Sequence, residues 1–335
     1  MVLEKKVIEE VSGWLRLFDD GSVDRTWTGD PGIESMAKPV PSHDQFIDGV
    51  STRDLIINTN SGLAVRIYIP KRNPDDADKL PLILHFHGGG FCISQPDWYM
   101  YYHIYARLVC SARAICVSVY LPLAPEHRLP AACEASYAAL LWLRSVARGE
   151  LPEPWLDVNA DFRRVFLIGD SAGGNLVHEV AARAGNEDLE PLGLAGGVTI
   201  HPGFVRAERS KSELEKGESE FLTLEMLDKF MGLALPIGSS KDHPITCPMG
   251  SAAPPLAGLK LPPFLVVVAE EDLLRDTQME YWEAMKKEGK EVEVLINPGV
   301  SHCFYLNKMG LDKHPHAAAQ AHHLIAAITD FIKSH

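Results

Sequence analysis

The chain has 335 residues, 46% hydrophobic and 23% charged, the proportions of a globular protein long enough to bury a large core. A formal charge of −13 argues against nucleic acid and anionic membrane surfaces as partners. No apolar run is long enough to span a bilayer, the charged start Met1-Val-Leu-Glu-Lys-Lys lacks the core of a secretion signal, and six scattered cysteines form no C-x-x-C pair. These features predict a cytoplasmic protein with reduced thiols.

In chain order, residues 5–18 are expected to form a helix with Val7, Val11, Trp14, Leu15 and Phe18 on one face. Asp19-Asp20-Gly21 should end it before a short strand near 23–27. Residues 28–49, rich in Pro, Gly and polar side chains, read as irregular. Residues 51–58 and 63–70 alternate like an antiparallel pair, and 73–79 read as a charged surface loop. From 80 onward the pattern changes. Strands at 80–86, 114–119, 165–168, 194–200, 264–269 and 292–296 alternate with helices at 99–111, 131–146, 175–183, 275–288 and 316–333. That alternation describes one α/β domain, a mostly parallel sheet covered by helices on both faces. Residues 206–240 break it with a charged loop and a helix over 224–233, as an insertion above one end of the sheet would.

Gly169-Asp170-Ser171-Ala172-Gly173 is a G-x-S-x-G pentapeptide with an apolar strand pattern before it and helical spacing after it. A strand turning sharply into a helix holds its central residue in a strained conformation and pushes the side chain outward, and the flanking glycines let strand and helix pass closely. Ser171 is the candidate nucleophile.

Such a hydroxyl needs a base, an acid to orient the base, and donors for an oxyanion. Of fourteen histidines, His302 stands just after the final strand, where chain order in this architecture places the base. His85 lies within a strand and reads as a satisfied core residue. His314, His316, His322 and His323 read as solvated, without the acidic or cysteine companions of a metal site. Asp272, in the loop after strand 264–269, is the acid preferred over Asp276, which reads as a helix-start residue one turn later. His87-Gly88-Gly89-Gly90 closes another strand, and the N–H groups of Gly88, Gly89 and Ala172 are the expected oxyanion hole. A phosphate-binding glycine loop is the competing reading, but the stretch matches neither G-x-G-x-x-G nor G-x-x-x-x-G-K-[ST].

These motifs resemble the hormone-sensitive-lipase-like branch of the α/β-hydrolases. Leu123-Ala-Pro-Glu-His-Arg-Leu-Pro-Ala-Ala132 and Glu10-Val-Ser-Gly-Trp-Leu-Arg-Leu-Phe-Asp-Asp-Gly21 are similar to stretches of plant carboxylesterases, and the resemblance runs from about Val7 to the carboxyl terminus. It implies an eight-stranded α/β-hydrolase sheet with a small helical cap, contributed by about 1–45, with its helix, and by 206–240. It also implies ester hydrolysis of small plant metabolites through Ser171, Asp272 and His302, with no cofactor or metal. Relatives on this scaffold include lyases, cyclases and gibberellin receptors, and the receptors lack the catalytic histidine retained here as His302. Two positions depart from the family: Tyr120-Leu121-Pro122 stands where Asp-Tyr-Arg is usual, and Cys303 follows His302 where glycine is common. A packing role for Cys303 is expected. Phe91, Trp98, Tyr99, Phe204, Phe221 and Phe304 are candidate walls of an apolar pocket or parts of the core.

Overall fold

Every residue of Leu80–Phe86 is buried, as a strand covered on both faces requires. In the computed structural model, which describes residues 5–72 and 78–335, this strand lies inside a nine-stranded sheet. A separate three-stranded sheet precedes it, formed by β1 (Val7–Val11), β2 (Leu15–Phe18) and β3 (Val23–Asp24). The large sheet contains β4 (His43–Ile47), β5 (Val50–Asn58), β6 (Leu63–Pro70), β7 (Leu80–Phe86), β8 (Ile115–Tyr120) and β9 (Ala160–Asp170). It is completed by β10 (Leu194–Ile200), β11 (Phe264–Ala269) and β12 (Val292–Asn297). The spatial order is β12-β11-β10-β9-β7-β8-β6-β5-β4. Neighbours from β12 to β8 are parallel, and β6, β5 and β4 continue antiparallel.

The helices are α1 (Pro31–Glu34), α2 (Tyr99–Ala112), α3 (Ala131–Ala147), α4 (Pro154–Asn159) and α5 (Ala172–Ala184). After them come α6 (Lys211–Glu215), α7 (Leu224–Ala234), α8 (Arg275–Lys287), α9 (Lys308–Lys313) and α10 (Pro315–Ser334). Over the sheet, α2 packs with α10 and α3 with α5. The parallel strands end where β7, β9, β10, β11 and β12 deliver their loops to one edge, the usual place for a site in an open α/β sheet.

Two expectations need correction. The amino-terminal segment is a hairpin, not a helix: β1 pairs antiparallel with β2, with Val11 opposite Leu15. Ser12 and Gly13 take positive φ (+43° and +78°) and Trp14 N–H closes the turn on the Val11 carbonyl at 2.7 Å. The apolar spacing fits either structure, and the β-branched Val7, Ile8 and Val11 with the Ser-Gly turn decide for strands. The sheet has nine strands rather than eight because β4, in a stretch read as irregular, adds an edge strand beside β5. Of the charged loop expected at 73–79, residues 73–77 lie outside the described residues.

Candidate active site

Strand β9 ends at Asp170 and α5 begins at Ala172, leaving Ser171 in the turn with φ +49° and ψ −122°. A Cβ at Gly169 would lie 2.3 Å from the Gly173 carbonyl oxygen, and one at Gly173 would lie 2.0 Å from that of Phe86. No side chain fits there. The strained turn is held from both sides: Ser171 N–H donates to the Ile200 carbonyl, and its own carbonyl accepts from Gly174 and Gly203.

Two loops bring partners to the serine. His302, beyond β12, places Nε2 2.9 Å from Ser171 Oγ, and its Nδ1–H donates to Asp272 Oδ2 at 2.7 Å. Asp272, beyond β11, is fully buried; Oδ1 accepts Leu274 N–H and Oδ2 also accepts from Gln278 Nε2, both at 2.9 Å. Burial opposes charge on both groups, but their attraction outweighs it, holding Asp272 below the carboxylate range and His302 well above the usual imidazole value. Asp276 is engaged elsewhere, accepting Ser212 N–H at 2.8 Å and Arg275 Nη1 at 3.2 Å.

Seven further histidines have other surroundings. Burial lowers His85, takes His87 to about 4 and takes His201 to about 3, so all three are neutral near pH 7. His85 sits 2.6 Å from Ser118 Oγ and 3.4 Å from Asp170 Oδ1, a partnered core residue. His314, His316, His322 and His323 are exposed. Among the described residues no group of three or more His, Cys, Asp or Glu side chains could hold a metal ion.

The glycine loop corrects one expectation. Gly88 N–H does not face the nucleophile: it donates to Tyr101 Oη (3.1 Å) and Asp170 Oδ2 (3.2 Å). The buried Asp170 carboxylate takes the first N–H of the loop, and a Cβ at Gly88 would lie 2.5 Å from that carboxylate oxygen. Gly89 and Gly90, at φ +97° and +58°, line the cavity together with Ser171 and Ala172. Among the described residues, the N–H groups of Gly89, Gly90 and Ala172 donate to no protein acceptor. Three free donors beside one serine are what a developing oxyanion requires.

A family model for the alpha/beta hydrolase fold matches residues 83–306. The chain belongs to the α/β-hydrolase family. Its curated relatives lie in the branch of plant carboxylesterases and gibberellin receptors. The probable carboxylesterase 6 of Arabidopsis thaliana is 34% identical, covering 90% of this chain and 85% of that one. The gibberellin receptor GID1C of the same plant is 35% identical over 82% and 80%. The 2-hydroxyisoflavanone dehydratase of Glycyrrhiza echinata is 34% identical over 90% and 91%. Among solved structures, an esterase of Pyrobaculum calidifontis superposes with a TM-score of 0.68 at 28% identity, covering 89% of this chain and 87% of that one. The chain is thus an esterase-like α/β hydrolase.

In this hydrolase the walls of the site come from two distant segments. Trp14, from the amino-terminal hairpin, and Met226, Phe230 and Met231, from α7, line a cavity that reaches Ser171. Thr223 caps α7, its Oγ1 accepting Met226 N–H at 3.1 Å. Lys229 clasps the two segments, donating to the Glu10 carbonyl and pairing with Glu9. The Leu123–Ala132 motif fastens both from below: Glu126 pairs with Arg25, and Arg128 donates to the carbonyls of Gly232 (2.8 Å) and Leu235 (2.6 Å) at the end of α7. Of the expected aromatic walls, Phe91 and Phe221 line the cavity, whereas Trp98, Tyr99, Phe204 and Phe304 do not. Trp14 and Phe230 were not expected as walls, because only the turn at Ser12-Gly13 and the cap at Thr223 signal how they are presented; Tyr101, on α2, carries no such signal. Cys303 is buried, which raises its thiol; its N–H donates to His201 Nδ1 at 2.9 Å, and it lines the cavity beside His302.

Proposed function

We propose that this hydrolase is a serine carboxylesterase acting on small, neutral esters with short acyl groups. Ser171 Oγ attacks the ester carbonyl carbon as its proton passes to His302 Nε2, while Asp272 holds the ring through Nδ1. The resulting oxyanion accepts hydrogen bonds from Gly89, Gly90 and Ala172; one such donor typically contributes about 3–4 kcal/mol. Collapse expels the alcohol, whose oxygen takes the proton from His302, and leaves the acyl group on Ser171. Water then attacks the acyl-enzyme, giving up a proton to His302, and the acid departs as Ser171 recovers its hydroxyl. No cofactor or metal enters these steps.

The observation that carries this reading is the continuous chain Ser171–His302–Asp272 beside three unpartnered N–H groups. The cavity supports such a substrate: among the described residues, Asp170 and His302 are the only Asp, Glu, Lys, Arg or His side chains on its wall, and its volume is about 50 Å³. Asp170 already accepts hydrogen bonds from Gly88 and Tyr101, which disfavours its pairing with a cationic substrate. Segments of 1–45 and 206–240 act in this reading as the cap. Six unpaired cysteines suit a reducing compartment such as the cytoplasm.

A second reading, elimination or cyclisation with His302 as base and no acyl-enzyme, is favoured by the 34% identical dehydratase. Turnover of a metabolite panel by wild type and Ser171→Ala separates the two. Loss of ester cleavage in the mutant supports hydrolysis. Weak ester turnover, with an elimination product that survives the substitution, supports the lyase. Tight binding of a small ligand without turnover would support a receptor.

A further inference from the structure

Asp272 shares its carboxylate. Gln278, one turn into α8 and fully buried, directs both hydrogens of its amide at the site, one to Asp272 Oδ2 (2.9 Å) and one to the Pro202 carbonyl (3.3 Å). The orientation is fixed by chemistry, since a carboxylate and a carbonyl only accept. Its Oε1 is left buried without a partner among the described residues, so the amide is held there despite an unmet acceptor. The oxygen it reaches is the one that His302 Nδ1–H uses. The carbonyl it reaches belongs to the segment behind the site, where His201 holds Cys303 N–H and Gly203 holds the Ser171 carbonyl.

We propose that Gln278 is a positioning residue that shares the Asp272 carboxylate with His302 and thereby limits how strongly the base holds its proton. This rests on the triad reading above. A second donor on Oδ2 satisfies part of the carboxylate charge when the imidazole is neutral. Without it, the charge is met by Leu274 N–H and the ring alone, and protonating the ring becomes more favourable. The other groups facing this pair do not titrate in the relevant range. His201 is taken down to about 3 by burial, the Cys303 thiol is raised by burial, and Ser171 is a hydroxyl.

The test follows the low-field proton resonance of His302 Nδ1–H, identified by its absence in His302→Ala, as pH is varied in wild type, Gln278→Met and Gln278→Leu. The proposal expects the titration midpoint to rise by about one pH unit, a roughly tenfold tighter hold on the proton, in each folded variant. The acid limb of kcat/KM for p-nitrophenyl acetate should move with it. Thr277→Val serves as control. Thr277 neighbours Gln278 on α8, and the substitution removes its buried bonds to the carbonyls of Phe204 and Leu274, so it should lower stability without moving the midpoint. In wild type, the Gln278 side-chain amide signals should shift with the same midpoint as the His302 proton. An unmoved or lowered midpoint in the variants, or an amide that ignores the His302 titration, overturns the proposal. A raised midpoint in a protein that cleaves no ester would keep Gln278 in this role and reject the esterase reading instead.

Discussion

At the scale of residues, the site depends on which of several chemically equal neighbours the fold turns inward. Asp272 and Asp276 lie four residues apart after the same strand, and only a distant contact, Ser212 N–H on Asp276, shows that the second is engaged. Sequence supports a preference there and nothing firmer. Three consecutive glycines are likewise indistinguishable until Asp170 takes the N–H of Gly88. The pH behaviour follows from the same contacts. His302 works as a base only when neutral, and Asp272 holds it well above its ordinary value, so kcat/KM should rise with pH along a limb centred above the usual imidazole range. Asp272→Asn should lower kcat about 10⁴-fold and move what remains of that limb toward acid, because the charge that favours the imidazolium is gone. Asp276→Asn should leave both unchanged. Steady-state kinetics from acid to alkaline pH on the three proteins checks all of this.

At the scale of elements, the alternating strands and helices after residue 80 were legible because each buried strand is a short, continuous apolar run, and the elbow was legible because only glycine fits at 169 and 173. The hairpin was not, since one apolar spacing serves a helix face or two short strands equally well. Helix α7 owes its place to its ends. Arg128→Met should remove both carbonyl bonds at its carboxyl end, speeding amide exchange across 224–234 and raising KM more than it lowers kcat. Unchanged exchange in α7 would contradict that role for Arg128. Helix α5 holds a second test. Glu179 is half-buried beside Pro130, Cys133 and Ile245, and burial raises its carboxyl to about 7. Arg183, one turn on, pairs with Glu134 instead. Because the folded state keeps a proton that the unfolded chain loses near pH 4.5, the contribution of Glu179 to stability is fullest below that pH and is lost as pH rises to about 7. Glu179→Gln should abolish this decline, gaining on wild type by about 1–2 kcal/mol between pH 4.5 and 8 in urea unfolding, once partial exposure is allowed for. A constant difference across that range would contradict the assignment.

At the level of the whole molecule, five loops from one edge of a nine-stranded sheet carry Ser171, His302, Asp272, the glycine loop and His201–Gly203, while the hairpin and α7 contribute walls to the cavity. Strand order places the loops together, so the meeting of Ser171, His302 and Asp272 was readable from motifs at strand ends. The cavity walls, which come from segments outside the parallel sheet, were readable only in part. In the proposed reaction Ser171 becomes covalently acylated. Stopped-flow hydrolysis of p-nitrophenyl acetate, with mass analysis of acid-quenched protein, tests it most directly. The expected result is a burst of p-nitrophenol with an acetyl group on Ser171, absent in Ser171→Ala; ester cleavage that persists undiminished in that mutant, with no adduct on position 171 of the wild type, would overturn the acyl-enzyme.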